Sequence, residues 1–320
     1  MKLMLDLPIR KSPCLVGYTD KIMMIGSCFS SEIGERLDQL MFTVLQNPCG
    51  ILYDPLSISS CLQSCLTNKV YHAEDLIYNN ELWHSWQHHS SFSGINPQDV
   101  IDKINDHTNK AHAFLKESKW LIITLGTSFA YRLTSTNKSI ANCHKFPSAH
   151  FHKDFITIEQ SIASMEVALT ALRIDNPGIK IILTVSPVKH IKDGIEENSH
   201  SKARLLEVVH SLEERFEHLY YFPAFEIVTD VLRDYRFYKE DLVHPNKMAI
   251  DVVFEQFSQS FISPEDRNIM KEVKALVDAG MHRPMHQSTK AFESFRNALL
   301  EKASSLRQRY PFLDLGEWER

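Results

Sequence analysis

The stretch Ile22-Met23-Met24-Ile25-Gly26-Ser27-Cys28-Phe29-Ser30-Ser31 decides the fold. Four apolar residues in a row predict a buried strand. Gly26 breaks the run, and a hydroxyl follows at once. Ser30 or Ser31 can cap a helix whose apolar positions are Ile33, Leu37, Leu40 and Met41. A strand ending in such a turn at a helix start lies at the carboxyl edge of a parallel sheet, where open α/β folds bind ligands. The helix start adds unpaired N–H donors and the positive end of the dipole. On this reading Ser27 is a candidate nucleophile. Cys28 beside it is the competing one, because thiolates are intrinsically reactive. Strand alternation lets only one of the two face a base. Cys28 is followed by Phe29 and suits the packed side, which favours Ser27.

Outward from this stretch the pattern repeats. Thr43–Gln46, Trp120–Gly126, Lys180–Pro187 and Leu219–Phe222 read as further strands. Helical patterns run over Leu56–Leu66, Pro97 to about Lys116, Thr157–Ile174, Ser201–His218 and about Asn246–Phe261. Asp75–Trp83 resembles a hairpin turning at Asn79-Asn80, and Tyr131–Lys145 a polar one turning near Thr136-Asn137. Strands alternating with helices predict an α/β fold, a parallel sheet covered on both faces. Residues 262–320 carry no strand pattern. Glu265–Ala279 and Thr289–Gln308 read as charged amphipathic helices. The expected organisation is therefore an α/β domain over 1–261 and a C-terminal helical extension over 262–320.

Composition narrows the function classes. The 320 residues carry 35 Lys and Arg against 40 Asp and Glu, a net charge of −5, and no basic block of the kind nucleic acid requires. Gly is scarce, and no GxGxxG or GxxxxGK[ST] phosphate cradle occurs. No apolar run approaches the roughly 20 residues of a membrane span, and the first ten residues do not follow a secretory leader pattern. The six cysteines form no close CxxC pair, so reduced thiols in a cytoplasm are expected. Cys61 and Cys65, on one helix face, read as core packing. The composition is silent on oligomeric state.

An activated serine needs a base, a group to orient that base, and donors for the oxyanion. Asp241 and His244 are three residues apart, which lets the carboxylate hold Nδ1 and leave Nε2 for the nucleophile. His84, His88, His89, His144 and His190 could converge on a metal, but no HExxH or paired CxxC accompanies them. Lining a substrate cleft is the preferred reading, with no metal and no cofactor. Trp83, Trp86 and Phe92 suit packing at least as well as a sugar platform.

These motifs together resemble the GSCFA family. The resemblance is carried by Gly26-Ser27-Cys28-Phe29-Ser30, the block Asn47-Pro48-Cys49-Gly50-Ile51-Leu52-Tyr53-Asp54-Pro55, and Thr124-Leu125-Gly126-Thr127. It continues through Asn142-Cys143-His144-Lys145, Ser186-Pro187-Val188-Lys189-His190, Asp234-Tyr235-Arg236-Phe237-Tyr238, Asp241 and His244-Pro245. That family is similar to the SGNH or GDSL hydrolases, which implies a flavodoxin-like sheet and a serine esterase acting through an acyl-enzyme. The resemblance implies Ser27 as nucleophile, His244 as base and Asp241 as its orienter. The oxyanion hole would use Ser27, Gly50 and Ser128. Asn47, His88, Thr127, Asn142, His144 and His190 are the expected substrate-binding residues. The expected substrate is a small acyl ester, on a carbohydrate or another polar alcohol. An acyltransferase or a binding protein on the same fold is the alternative, and a metal-dependent hydrolase a further one. The sequence departs from the superfamily pattern twice: Gly26 precedes Ser27 where an Asp is usual, and Ser128 stands where an Asn is usual.

Overall fold

The computed structural model describes residues 5–281 and 289–315. The chain opens with β1 (Lys21–Gly26), α1 (Cys28–Gln39), β2 (Thr43–Gln46) and α2 (Pro55–Leu66). A hairpin follows, β3 (Leu76–Asn79) with β4 (Leu82–Ser85), then α3 (Pro97–Glu117) and β5 (Trp120–Leu125). A small antiparallel sheet comprises β6 (Phe129–Leu133), β7 (Ser139–Ile140) and β8 (Phe151–Phe155). The α/β rhythm resumes with α4 (Ile158–Asp175), β9 (Lys180–Val185), α5 (Ile195–Arg215) and β10 (Leu219–Phe222). A helical turn α6 (Ala224–Glu226), α7 (Lys247–Phe261), α8 (Pro264–Gly280) and α9 (Lys290–Arg309) complete the described chain.

The main sheet has the order β10-β9-β5-β1-β2, and every pair in it is parallel. Counted along this sheet alone, that is 2-1-3-4-5, the flavodoxin-like winding. Its strands are nearly continuous in apolar residues because both faces are covered. Alternation assigns the faces: Ile22 and Met24 join one core with α1, α7 and α8, whereas Met23 and Ile25 join the other with α2, α3, α4 and α5. The winding reverses between β1 and β5, so a crevice opens at their carboxyl ends.

Three elements differ from expectation. β8 was not foreseen, because Phe151-His152-Lys153-Asp154-Phe155 mixes charge with aromatics; it is held by pairing with β6. The first hairpin turns at Asn80 and Glu81, both at positive φ, one residue beyond the Asn79-Asn80 expected. Helix α5 begins at Ile195, not Ser201, so Asn198, Ser201 and Lys202 lie buried on its first turns.

The C-terminal helices share the main core. Ile269, Met270, Val273 and Leu276 of α8 and Ala303 and Leu306 of α9 pack in the same cluster as Ile22 and Phe29. All six cysteines are unpaired, with Cys49, Cys61 and Cys65 buried. Among the described residues no helix is long and apolar enough to cross a membrane.

Candidate active site at the carboxyl edge of the sheet

Gly26 shapes the turn that ends β1. Its φ is 150°, and a Cβ there would stand 2.4 Å from the Thr124 carbonyl oxygen of the neighbouring strand. Its N–H donates to Asn47 Oδ1 at 2.9 Å, and Asn47 Nδ2 donates to Ser31 Oγ at 2.9 Å. One amide thus ties the end of β1 to the first turn of α1. Asn47 is a brace of the turn, with both ends of its side chain committed.

Ser27 is the N-cap residue of α1, but its hydroxyl caps nothing. The residue has no exposed surface, and Oγ has no hydrogen-bond partner. Cys28, the first helical residue, is partly exposed. Cys28 also packs against the core cluster that Phe29 enters. Gly26 breaks the strand geometry, so alternation no longer governs the residues after it.

The remaining expected oxyanion donors are engaged within the protein. The Ser27 N–H donates to the Thr124 carbonyl at 3.3 Å, and the Gly50 N–H to the Asn47 carbonyl at 2.7 Å. Ser128 is fully buried; its N–H donates to Ser201 Oγ at 2.7 Å and its hydroxyl to the Ser201 carbonyl at 3.0 Å. Thr127 Oγ1 meets the same Ser201 hydroxyl at 3.1 Å. Thr127 and Ser128 thus anchor the β5 loop to α5.

Asp241 and His244 pair as the spacing predicts. Asp241 Oδ2 lies 2.7 Å from His244 Nδ1, while Oδ1 accepts the N–H groups of Val243 and His244, each at 3.0 Å. Those backbone donors, with the imidazole, hold the carboxyl down at about 2. Both side chains are exposed to solvent. Their loop is joined to the one after β9 by the Lys189 N–H, which donates to the Val243 carbonyl at 3.2 Å.

His190 follows Lys189 in the loop after β9, beside that hydrogen bond to Val243. Its ring meets Tyr53 edge-on, with centroids 5.4 Å apart. Its Nε2 is shielded and has no hydrogen-bond partner. Burial, then the charges of Lys202 and His244, push its pKa down to about 4. Lys202 is fully buried beside it, donating to the carbonyls of Gly126 at 2.6 Å and Ser186 at 2.7 Å. Burial lowers its pKa to about 7, with Cys28 pulling the other way. Burial, and then Cys28, push the Tyr53 hydroxyl up.

Lys202 and Tyr53 were not singled out from the sequence. The spacing Asn198-Ser201-Lys202-Leu205 carried the signal: one helix face, polar at the end nearest the strand tips.

The other expected binding residues hydrogen-bond within the protein. His88 is buried, meets Ser85 Oγ at 2.9 Å, and is pushed down to about 3 by burial. His144 stacks on His84 and holds the Ser85 carbonyl through Nε2 at 2.8 Å. Asn142 Oδ1 accepts the His144 N–H at 2.9 Å. Through the Ser85 carbonyl, His144 knits the end of β4 to the Asn142–Lys145 segment. Among the described residues no three His, Cys, Asp or Glu side chains are grouped to hold a metal ion.

Solved structures similar to this chain include a carbohydrate esterase family 3 from Talaromyces cellulolyticus, 11% identical, TM-score 0.36, covering 80% of this chain and 99% of that one. An acetyl xylan esterase (Est2A) from the rumen bacterium Butyrivibrio proteoclasticus is 12% identical at a TM-score of 0.36, covering 77% and 64%. A family two carbohydrate esterase from Clostridium thermocellum, in complex with cellohexaose, is 12% identical at 0.38, covering 76% and 65%. No curated protein matches the sequence. A model of the GSCFA domain protein, C-terminal domain, matches residues 273–318. The GSCFA family model matches residues 21–257, which take in the β1 turn, the Asn47 block and the Asp241–His244 pair, and the chain belongs to the GSCFA family.

Proposed function

We propose that this protein is a carboxylic ester hydrolase, transferring a small acyl group to a nucleophile of the Ser27-Cys28 turn and then to water. His244 is the general base and Asp241 its orienter. The observation that carries this reading is the Asp241–His244 pair. Oδ2 holds Nδ1 at 2.7 Å and Oδ1 is fixed by two backbone N–H groups. That arrangement sets the tautomer that leaves Nε2 to exchange protons with a nucleophile. The helix start at Cys28 supplies N–H donors suited to a developing oxyanion. No cofactor is required by this chemistry. Acetate esters of sugars are the substrates to test first, because the family resembles the SGNH hydrolases.

The test is hydrolysis of p-nitrophenyl acetate and of acetylated monosaccharides by the full chain and its His244→Ala variant. Wild-type turnover, reduced at least a hundred-fold in the variant, on the scale general base removal costs elsewhere, supports the reading. Turnover that survives loss of His244, or none in wild type, refutes it.

A further inference from the structure

We propose that Glu32 and Lys239 are positioning residues of the ester reaction proposed above, a reading on which this assignment rests. Their ion pair holds the loop of His244 against the helix that starts at the Ser27-Cys28 turn. Glu32 lies one turn into α1, and Lys239 Nζ donates to its Oε1 at 3.2 Å. Lys239 belongs to the loop of the base. Its N–H donates to the His244 carbonyl at 2.7 Å, and its own carbonyl accepts the Leu242 N–H at 2.9 Å. A shift of the Lys239 backbone therefore carries the His244 backbone with it. One charged contact thus joins the helix of the nucleophile turn to the loop of the base.

Glu32 is held ready for this contact. Arg36 Nη1 donates to the Glu32 carbonyl at 3.0 Å and to Oε2 at 3.5 Å, which leaves Oε1 for Lys239. Arg36 also reaches Asp251 Oδ1 of α7, with Nη2 at 2.9 Å and Nε at 3.3 Å, and Lys247 Nζ donates to Asp251 Oδ2 at 3.2 Å. Charge therefore alternates in sign along Lys239, Glu32, Arg36, Asp251 and Lys247. The Arg36 side chain is only 17% exposed, against 50% for Lys239. An isolated exposed pair must order two long side chains and gains little, whereas a pair inside a network finds one partner already ordered. Ile33 and Leu37 of α1 share one core with Ile250 and Val253 of α7, so apolar packing sets how these two helices sit. The loop before α7 has no such packing at its tip, where Asp241 and His244 are exposed. It is slung between two ties: the Lys189 N–H on the Val243 carbonyl at 3.2 Å, and Lys239 on Glu32. The ion pair therefore adds the placement of the base rather than the stability of the fold.

The experiment compares Lys239→Met, Glu32→Gln, the two together and Lys239→Arg with wild type, at low salt and in about 1 M sodium chloride, where the Debye length is about 3 Å. Two quantities are read: steady-state hydrolysis of p-nitrophenyl acetate, and hydrogen–deuterium exchange of peptides covering residues 234–246. At low salt each single variant is expected to lose about two- to five-fold in kcat, the scale of an exposed pair, with KM unchanged. The double variant loses no more than either single one, and Lys239→Arg, which keeps the charge, stays at the wild-type rate. Salt slows wild type more than the variants. Exchange in the loop quickens in Lys239→Met and Glu32→Gln while the urea midpoint stays in place. Unchanged kcat, single losses that multiply in the double variant, or Lys239→Arg as slow as Lys239→Met overturn the assignment. A rise in KM at constant kcat overturns it too, because it marks contact with substrate. Exchange stands apart from catalysis. If wild type cleaves no ester, the hydrolase reading falls; faster loop exchange in Lys239→Met then still supports the tether, and unchanged exchange overturns it.

Discussion

Lys202 Nζ donates to the Gly126 carbonyl at 2.6 Å, and through a second hydrogen to the Ser186 carbonyl, so one buried amine joins the carboxyl ends of β5 and β9 beneath the candidate site. Those strands end next to the turn that carries Cys28, and the amine sets both the packing and the field there. Burial holds its pKa down at about 7, far below the ordinary 10.5.

Replacing Lys202 with Met keeps the length of the stem and leaves both carbonyls without donors. The expected loss is about 2–4 kcal/mol, the scale of orphaned buried acceptors. Between pH 7 and about 10 the unfolded chain holds this proton and the folded chain does not, so wild-type stability rises with pH through that window. Below pH 7 both states are protonated and this contribution is flat. Urea unfolding of wild type and Lys202→Met at pH 7 and pH 9 checks the sign: the gap between them widens at the higher pH.

Asp241→Asn keeps the shape of the side chain and removes its charge. An amide can still accept the Val243 and His244 N–H groups, but facing Nδ1 it can present NH2 and favour the wrong imidazole tautomer. Esterase kcat is expected to fall by about a hundred-fold or more, up to the ~10⁴ seen for such a change in a serine protease, with KM little changed. Steady-state kinetics on p-nitrophenyl acetate measure this, and a rise in KM at constant kcat would point to a binding role.

Asn47→Ala leaves the Gly26 N–H without an acceptor and Ser31 Oγ without a donor. It also puts alanine at φ 45°, a conformation that asparagine tolerates better. The expected cost is about 2–4 kcal/mol, from a lost buried acceptor and the backbone strain together. Asn47→Asp keeps the Oδ1 acceptor, and Ser31 can turn to donate, so a smaller loss is expected. Chemical denaturation of both variants orders them.

The sheet was legible because its strands are short apolar runs punctuated by Gly or Pro, and because helices of clear period separate them. The Asp241–His244 pair was legible because a three-residue spacing in one turn fixes it locally. What the sequence hid lies where side-chain direction depends on a bend. At Gly26 the chain leaves β geometry, so alternation does not decide the directions of Ser27 and Cys28. His84, His88 and His144 read as cleft residues because imidazole is equally suited to binding and to bracing. Their contacts with Ser85, Ser90 and Ser93 are visible only in the structure. Lys202 was hidden because a lysine inside a charged helix ordinarily faces water.

In the proposed reaction the β1 turn and the Asp241–His244 loop work as one site, although more than two hundred residues separate them. A double-mutant cycle on kcat/KM for p-nitrophenyl acetate checks this, with the turn changed as Ser27→Ala plus Cys28→Ala, the loop as His244→Ala, and both together. Groups that act as a unit lose little more when both are removed than when one is. The account predicts a double variant within about ten-fold of the weaker single variant; losses that multiply in full would contradict it.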